Sequence, residues 1–145
     1  MSLHKIEVAK ELLETAMELF FSNKSSYAVI ALAAASEEVL GNYSNGNWTP
    51  NNTDNMFHKM YEVAQKRDMS YQSKSQFSQT LVNVTKNALK HANCEDEQMV
   101  SITEDEPVIW LLRALVNYQL GSGLEYSEII SKFESWVRVN RPSYF

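Results

Sequence analysis

Apolar residues recur along this chain at the three- and four-residue spacing that marks one face of an α-helix. The spacing predicts about six helical segments and no convincing strand. Their expected ranges are 3–21, 26–42, 54–67, 73–92, 107–120 and 127–139. Glycine (4) and proline (3) are scarce, so few positions interrupt these helices. The pattern predicts an all-α, up-and-down bundle of about four main helices plus one or two short extra helices.

The second predicted helix is rich in alanine, which lets a neighbouring helix approach closely. Its inward stripe is taken to be Tyr27, Ala31, Ala34 and Glu38, which follow a heptad-like spacing. A carboxylate at that place needs a partner, because an unpaired buried charge is very costly. Candidate partners for Glu38 are His91, Asn87 and Arg113. The pair is interpreted either as a structural polar layer that fixes helix register, which is slightly favoured, or as part of a site.

The fifth predicted helix has clear signals at both ends. Thr103 and Glu106 have the spacing of a capping box, and Pro107 suits a first helical turn. The segment 121–123, Gly-Ser-Gly, ends the helix. The residues expected to face inward are Ile109, Leu112, Val116 and Leu120.

Composition indicates one small domain over residues 1–145. Hydrophobic residues make up 44% of the chain and charged residues 21%, an ordinary globular balance. Cys94 is the only cysteine, which excludes an internal disulfide and suits a reducing compartment. No apolar run is long enough for a membrane span and no apolar signal segment is recognisable, so a cytoplasmic protein with no membrane partner is expected.

The charge balance limits the possible partners. A net charge of -5 argues against general coating of nucleic acid, because phosphate contacts supply most nonspecific affinity. No DNA partner is therefore expected, although a local basic cleft stays open. The acidic segment 93–106 carries no basic residue and is predicted to be a loop.

The end of the fourth predicted helix holds the side chains best suited to chemistry on RNA. Asn83, Asn87 and His91 lie four residues apart and share one side of that helix. His91 suits proton transfer, because its reference pKa of about 6.5 lies near working pH. Lys86 or Lys90 suits stabilisation of negative charge on phosphate, and Asn87 suits orientation of His91 or donation to phosphate.

The stretch Lys86-Asn87-Ala88-Leu89-Lys90-His91 resembles the R-N-x-x-x-H motif of the HEPN family, the higher eukaryote and prokaryote nucleotide-binding domains. Lys86 stands where that family has arginine. The segment 33–41 is similar to the alanine-rich, double-glutamate helix of some bacterial HEPN-like proteins, and 113–118 extends the likeness over most of the chain. The resemblance implies a homodimer in which paired subunits bring two copies of the motif into one cleft.

Two functions follow from this resemblance. The favoured one is a non-catalytic or weakly active HEPN-like module that binds a nucleotide, RNA or a partner protein through a cleft around Lys86 and His91. Lys86 favours this binding function, because lysine lacks the planar fork with which arginine holds two phosphate oxygens. The alternative is a metal-independent endoribonuclease of toxin or stress-response type, with Arg113 on a neighbouring helix as a candidate replacement for the missing arginine. No cofactor or metal is expected, since the chain has no Glu-x-x-His repeat of the di-iron type.

Overall fold

The structure, a computed structural model, describes residues 1–44, 47–48 and 100–144. These parts of the chain contain four α-helices: α1 Lys5–Phe21, α2 Ser26–Gly41, α3 Glu106–Asn117 and α4 Glu128–Asn140. Each lies within a few residues of a range predicted from the apolar spacing. The all-α bundle is thereby confirmed as the fold class, while the helices predicted over 54–67 and 73–92 lie outside the described residues.

Short elements follow α2, α3 and α4. Two-residue strands, β1 Tyr43–Ser44 and β2 Asn47–Trp48, pair antiparallel, a hairpin that the apolar spacing did not predict. A π-helix, Tyr118–Ser122, continues α3 and ends at Gly123, whose positive φ of 68° suits a residue without a side chain. A 3₁₀ turn, Pro142–Tyr144, follows α4.

Local hydrogen bonds determine where α1 begins and ends. His4 is its N-cap, and its Nδ1 accepts from the backbone N–H of Ile6 at 3.3 Å. At the other end Asn23 takes a left-handed φ of 50° and donates its N–H to the Phe20 carbonyl, while Lys24 donates to the Leu19 carbonyl. This is a Schellman motif, which Asn tolerates better than most residues. It reverses the chain within four residues and brings α2 back onto α1.

The core of the described bundle lies between α1, α2 and α3. α2 packs against both α1 and α3, and α4 packs against α1. The apolar face of α1 carries Ile6, Leu13 and Met17, which are buried, and Phe20, which is partly buried. Aromatic side chains join α1 to α4, with the Phe20 ring centroid 5.0 Å from that of Trp136 and 5.8 Å from that of Phe133, both edge to face.

The predicted inward stripe of α2 is wrong. Tyr27, Ala31 and Glu38 are exposed, and the buried face carries Val29, Ile30, Ala33, Ala34, Ser36, Glu37 and Leu40. Both faces of this helix are rich in small apolar residues, so the sequence offers little contrast between inside and outside. The carboxylate that enters the core is therefore that of Glu37, one position before the predicted Glu38.

The start of α3 confirms part of the sequence prediction, and its inward face corrects another part. The Glu106 carboxylate accepts the Thr103 backbone N–H at 2.9 Å, which is one of the two contacts of the predicted capping box. The N-cap of α3 is Asp105 and not Thr103, and no side-chain hydrogen bond caps the helix. Leu112 is buried as predicted, but Ile109 and Val116 are only partly buried and Leu120 is 47% exposed. Because α3 is covered on most sides, its polar residues Arg113 and Asn117 enter the core as well.

Candidate functional site

Most of the predicted site residues lie outside the described part of the chain. They are Asn83, Lys86, Asn87, Lys90 and His91. The two that are described occupy different environments, because Glu38 is exposed on α2 and Arg113 is buried in α3. Their surroundings show what each contributes to the bundle.

Arg113 forms a buried ion pair with Glu37 across the interface of α2 and α3. Its Nη2 donates to Glu37 Oε1 at 3.1 Å, and the two side chains are only 3% and 2% exposed. The guanidinium carbon lies 4.1 Å from the ring centroid of Trp110, one helical turn earlier. Asn117 Nδ2 donates to the Glu37 backbone carbonyl at 3.2 Å. These contacts hold the guanidinium between a carboxylate and an indole ring.

The electrostatics of this pair come from its burial. Removal of the Arg113 guanidinium from water lowers its pKa, and the charge and hydrogen bond of Glu37 partly offset that effect. Arginine nevertheless keeps its proton in proteins, so the pair consists of two full charges in the core. Each charge therefore depends on the other for its stability.

A second polar contact ties α2 to α1. Ser36 Oγ donates to the Ala9 backbone carbonyl at 2.7 Å, and both residues are fully buried. Together with the Glu37–Arg113 pair, it places adjacent polar residues of α2 against two different helices. α2 is thus the central helix of the described bundle, since it packs against both α1 and α3.

A cavity of about 430 Å³ opens where the turn between α1 and α2 meets the start of α3 and the end of α4. Its volume lies in the usual range of small-molecule pockets, roughly 300–1,000 Å³. The lining combines aromatic, aliphatic and charged side chains: Phe20, Phe21, Asn23, Lys24, Ser26, Val29, Glu104, Pro107, Val108, Trp136 and Arg141. This mixture can hold an apolar group and charged groups at once.

The arginine at the cavity rim is already engaged. Arg141 donates from Nε and Nη2 to Asp105 Oδ1 at 2.9 and 2.8 Å, and from Nη1 to the Asn140 carbonyl at 2.9 Å. Its guanidinium carbon lies 5.6 Å from the Trp136 ring centroid. Arg141 therefore closes the junction between α4 and the segment before α3.

Sequence reasoning missed Glu37 and the cavity for different reasons. The signal for Glu37 was present, since Ile30, Ala33, Glu37 and Leu40 also follow helical spacing, but Glu38 gave an equally regular stripe. The cavity had no sequence signal, because its walls come from three separate segments of the chain, 20–29, 104–108 and 136–141.

The fold defines the class of protein as an all-α helical bundle. No helix in residues 1–44 or 100–144 is long and apolar enough to cross a membrane. The same residues contain no cluster of three His, Cys, Asp or Glu side chains that could hold a metal ion. Comparison of the chain with protein families, with curated proteins and with solved structures finds no match to any of the three.

Proposed function

We propose that this protein is a non-catalytic or weakly active HEPN-like module that binds RNA, a nucleotide or a partner protein through a cleft around Lys86 and His91. The proposal starts from the motif, in which lysine stands where the HEPN family has arginine. The observation that carries it is that the arginines of the described bundle are paired with carboxylates.

Every arginine of the described residues is held by a carboxylate. Arg113 pairs with Glu37 at 3.1 Å, Arg138 with Glu134 at 2.9 Å, and Arg141 with Asp105 at 2.8 Å. The buried Arg113 is the one that the sequence suggested as a replacement for the motif arginine. A guanidinium that is 3% exposed and paired in the core is poorly placed to bind the phosphate of RNA.

Loss of an arginine contact weakens catalysis more than binding. Lysine still attracts phosphate as a point charge, so affinity for RNA or a nucleotide persists. The developing charge of a transition state needs fixed donors, and removal of one such donor costs about 10²-fold or more in rate. A module with Lys86 is therefore expected to bind RNA or a nucleotide but to cleave RNA poorly.

RNA cleavage by motif variants tests the proposal. Wild type, Lys86→Arg and Lys86→Arg/His91→Ala are incubated with unstructured RNA in the presence of EDTA. Little or no cleavage is expected from wild type, a gain from Lys86→Arg, and loss of that gain in the double variant, because positioning without a proton carrier leaves the 2′-hydroxyl unactivated. Lys59→Arg, which adds the same guanidinium outside the motif, is the matched control.

The alternative, a metal-independent endoribonuclease, makes a different prediction in the same assay. Efficient wild-type cleavage that His91→Ala abolishes would establish the enzyme and overturn the binding module. Cleavage that survives His91→Ala would refute the role of His91 in either reading.

RNA binding is measured separately by fluorescence anisotropy across a range of salt concentrations. If Lys86 contacts a phosphate, Lys86→Met should reduce the slope of log K against log salt by about 0.7, the value for one phosphate of a single strand. Lys5→Met, at the start of α1, should leave the slope unchanged. An unchanged slope in Lys86→Met would remove Lys86 from the RNA-binding surface.

The HEPN resemblance also implies a homodimer, because a composite cleft needs two copies of the motif. Sedimentation velocity at micromolar concentration should then show a dimer. A strictly monomeric protein would remove the composite cleft and make catalysis improbable.

A further inference from the structure

We propose that the cavity between the α1–α2 turn, the start of α3 and the end of α4 binds a free α-amino acid with a large apolar side chain. The proposal does not rest on the motif at Lys86 and His91, because every residue from which it is argued lies in 1–44 or 100–144.

The wall is aromatic and supported from behind. The rings of Phe20 and Trp136 meet at 5.0 Å and 79°, and Phe133, which is fully buried, contacts both rings. Phe21 also lines the cavity and, like Phe20 and Trp136, is partly exposed, whereas the liners Val29 and Pro107 are buried behind this surface. Rings fixed by their neighbours lose little freedom when a ligand packs on them, so the wall favours an apolar group in advance.

The rim carries two charges of opposite sign. Lys24 and Glu104 line the same cavity, and neither side chain forms an ion pair within residues 1–44 or 100–144. The third charged liner, Arg141, already pairs with Asp105. One ammonium and one carboxylate group are thus available to a ligand that carries a carboxylate and an ammonium group of its own.

This charge pattern selects among small molecules. A ligand with only a carboxylate can contact Lys24 but gains nothing from Glu104, and a ligand with only an amine can contact Glu104 but gains nothing from Lys24. A zwitterion satisfies both, and its apolar side chain occupies the aromatic wall. Those three features together describe an amino acid such as phenylalanine.

The backbones beneath both charges are anchored. Lys24 occupies the last position of the Schellman motif, with its N–H donated to the Leu19 carbonyl at 3.0 Å. Glu104 lies between Thr103 and Glu106, which are joined by the 2.9 Å contact described above and by a backbone hydrogen bond of 3.3 Å. Only the side chains of Lys24 and Glu104 need to adjust to the ligand.

Isothermal titration calorimetry with four probes tests the site. L-Phenylalanine carries the full set of features, 2-phenylethylamine lacks the carboxylate, 3-phenylpropionate lacks the ammonium group, and L-alanine lacks the ring. L-Phenylalanine should bind most tightly. L-Alanine should show no measurable binding, because it leaves the aromatic wall exposed to water.

Variants at the rim test whether Lys24 binds the carboxylate of the ligand and whether Glu104 binds its ammonium group. Lys24→Met should weaken binding of L-phenylalanine about tenfold, the lower end expected for a hydrogen bond to a charged group, and leave 2-phenylethylamine unaffected. Glu104→Gln should weaken L-phenylalanine by a similar factor and leave 3-phenylpropionate unaffected. The matched controls Lys5→Met and Glu11→Gln, which lie outside the cavity, should change nothing.

The outcomes that overturn the proposal are distinct. Absence of heat with L-phenylalanine at millimolar concentrations would refute the site. Equal affinity for L-phenylalanine and the two singly charged analogues would refute the roles of Lys24 and Glu104. Both residues are exposed, so a far-UV spectrum like that of wild type is expected for each variant.

Discussion

Glu37→Ala should destabilise the bundle strongly, although this residue stands beside an exposed glutamate on the same helix. The substitution removes the carboxylate 3.1 Å from the Arg113 guanidinium and leaves a full charge with 3% exposure in the core. Desolvation is the largest influence on that guanidinium and already lowers its pKa in the presence of Glu37. Without the carboxylate, the charge and the hydrogen bond of Glu37 that partly offset this loss of hydration are gone.

The expected loss is about 3–5 kcal/mol, the range for removing one partner of a buried ion pair. A domain of this size is stable by only about 5–15 kcal/mol, so the variant approaches the limit of stability. Since about 1 kcal/mol lowers the melting temperature by roughly 2–4 °C at this chain length, a fall of about 10 °C is expected. Glu38→Ala, at an exposed position, should lose less than about 1 kcal/mol.

Urea denaturation followed by circular dichroism and tryptophan fluorescence measures these differences. A double-mutant cycle with Arg113→Met and Glu37→Met isolates the pair, because an apolar replacement of both partners often recovers much of the stability that either single change removes. Equal small losses for Glu37→Ala and Glu38→Ala would refute the burial of the pair. Additive losses in the cycle would show that the two side chains do not interact.

Two further predictions concern single residues. Burial raises the pKa of Tyr118 from 10.0 to about 12, and the charge of Glu14 adds to the effect. Below about pH 10 the neutral Tyr118 hydroxyl therefore contributes fully to the free energy of unfolding. As the pH rises from about 10 toward 12, that free energy falls by about 1.4 kcal/mol per pH unit. Urea unfolding between pH 9 and 11 should show this loss in wild type but a shallower one in Tyr118→Phe, and parallel curves would contradict it. Asn23→Ala should cost about 1 kcal/mol because its φ is positive, whereas Asn23→Gly should be nearly neutral, as thermal melts of both variants can show. Equal melting temperatures would rule out strain at Asn23.

The motif at Lys86 to His91 is supported by the sequence, whereas the Glu37–Arg113 ion pair is observed in the structure. Lys86, Asn87 and His91 rest on residue types and spacing in the sequence, and their function stays a prediction. Arg113 is a candidate for the same site from the sequence, but the structure places it in a buried pair with Glu37. A guanidinium looks the same in the sequence whether it faces solvent or a buried carboxylate.

The sequence by itself determined the helical class and the approximate helix ends. α1 and α4 follow from apolar residues at helical spacing, because a strong contrast between their two faces specifies which side is buried. The contact between Thr103 and Glu106 follows from a separation of three residues, which a local turn always brings together.

Only the tertiary structure decided the inward face of α2 and the partner of Arg113. Alanine on both sides of α2 makes either rotation about its axis similar in apolar burial, so the choice between Glu37 and Glu38 depends on the helices packed against it. Glu37 and Arg113 are 76 residues apart, and the cavity combines side chains from α1, α3 and α4. Such contacts depend on how helices are placed in space, which the periodicity of a single helix does not encode.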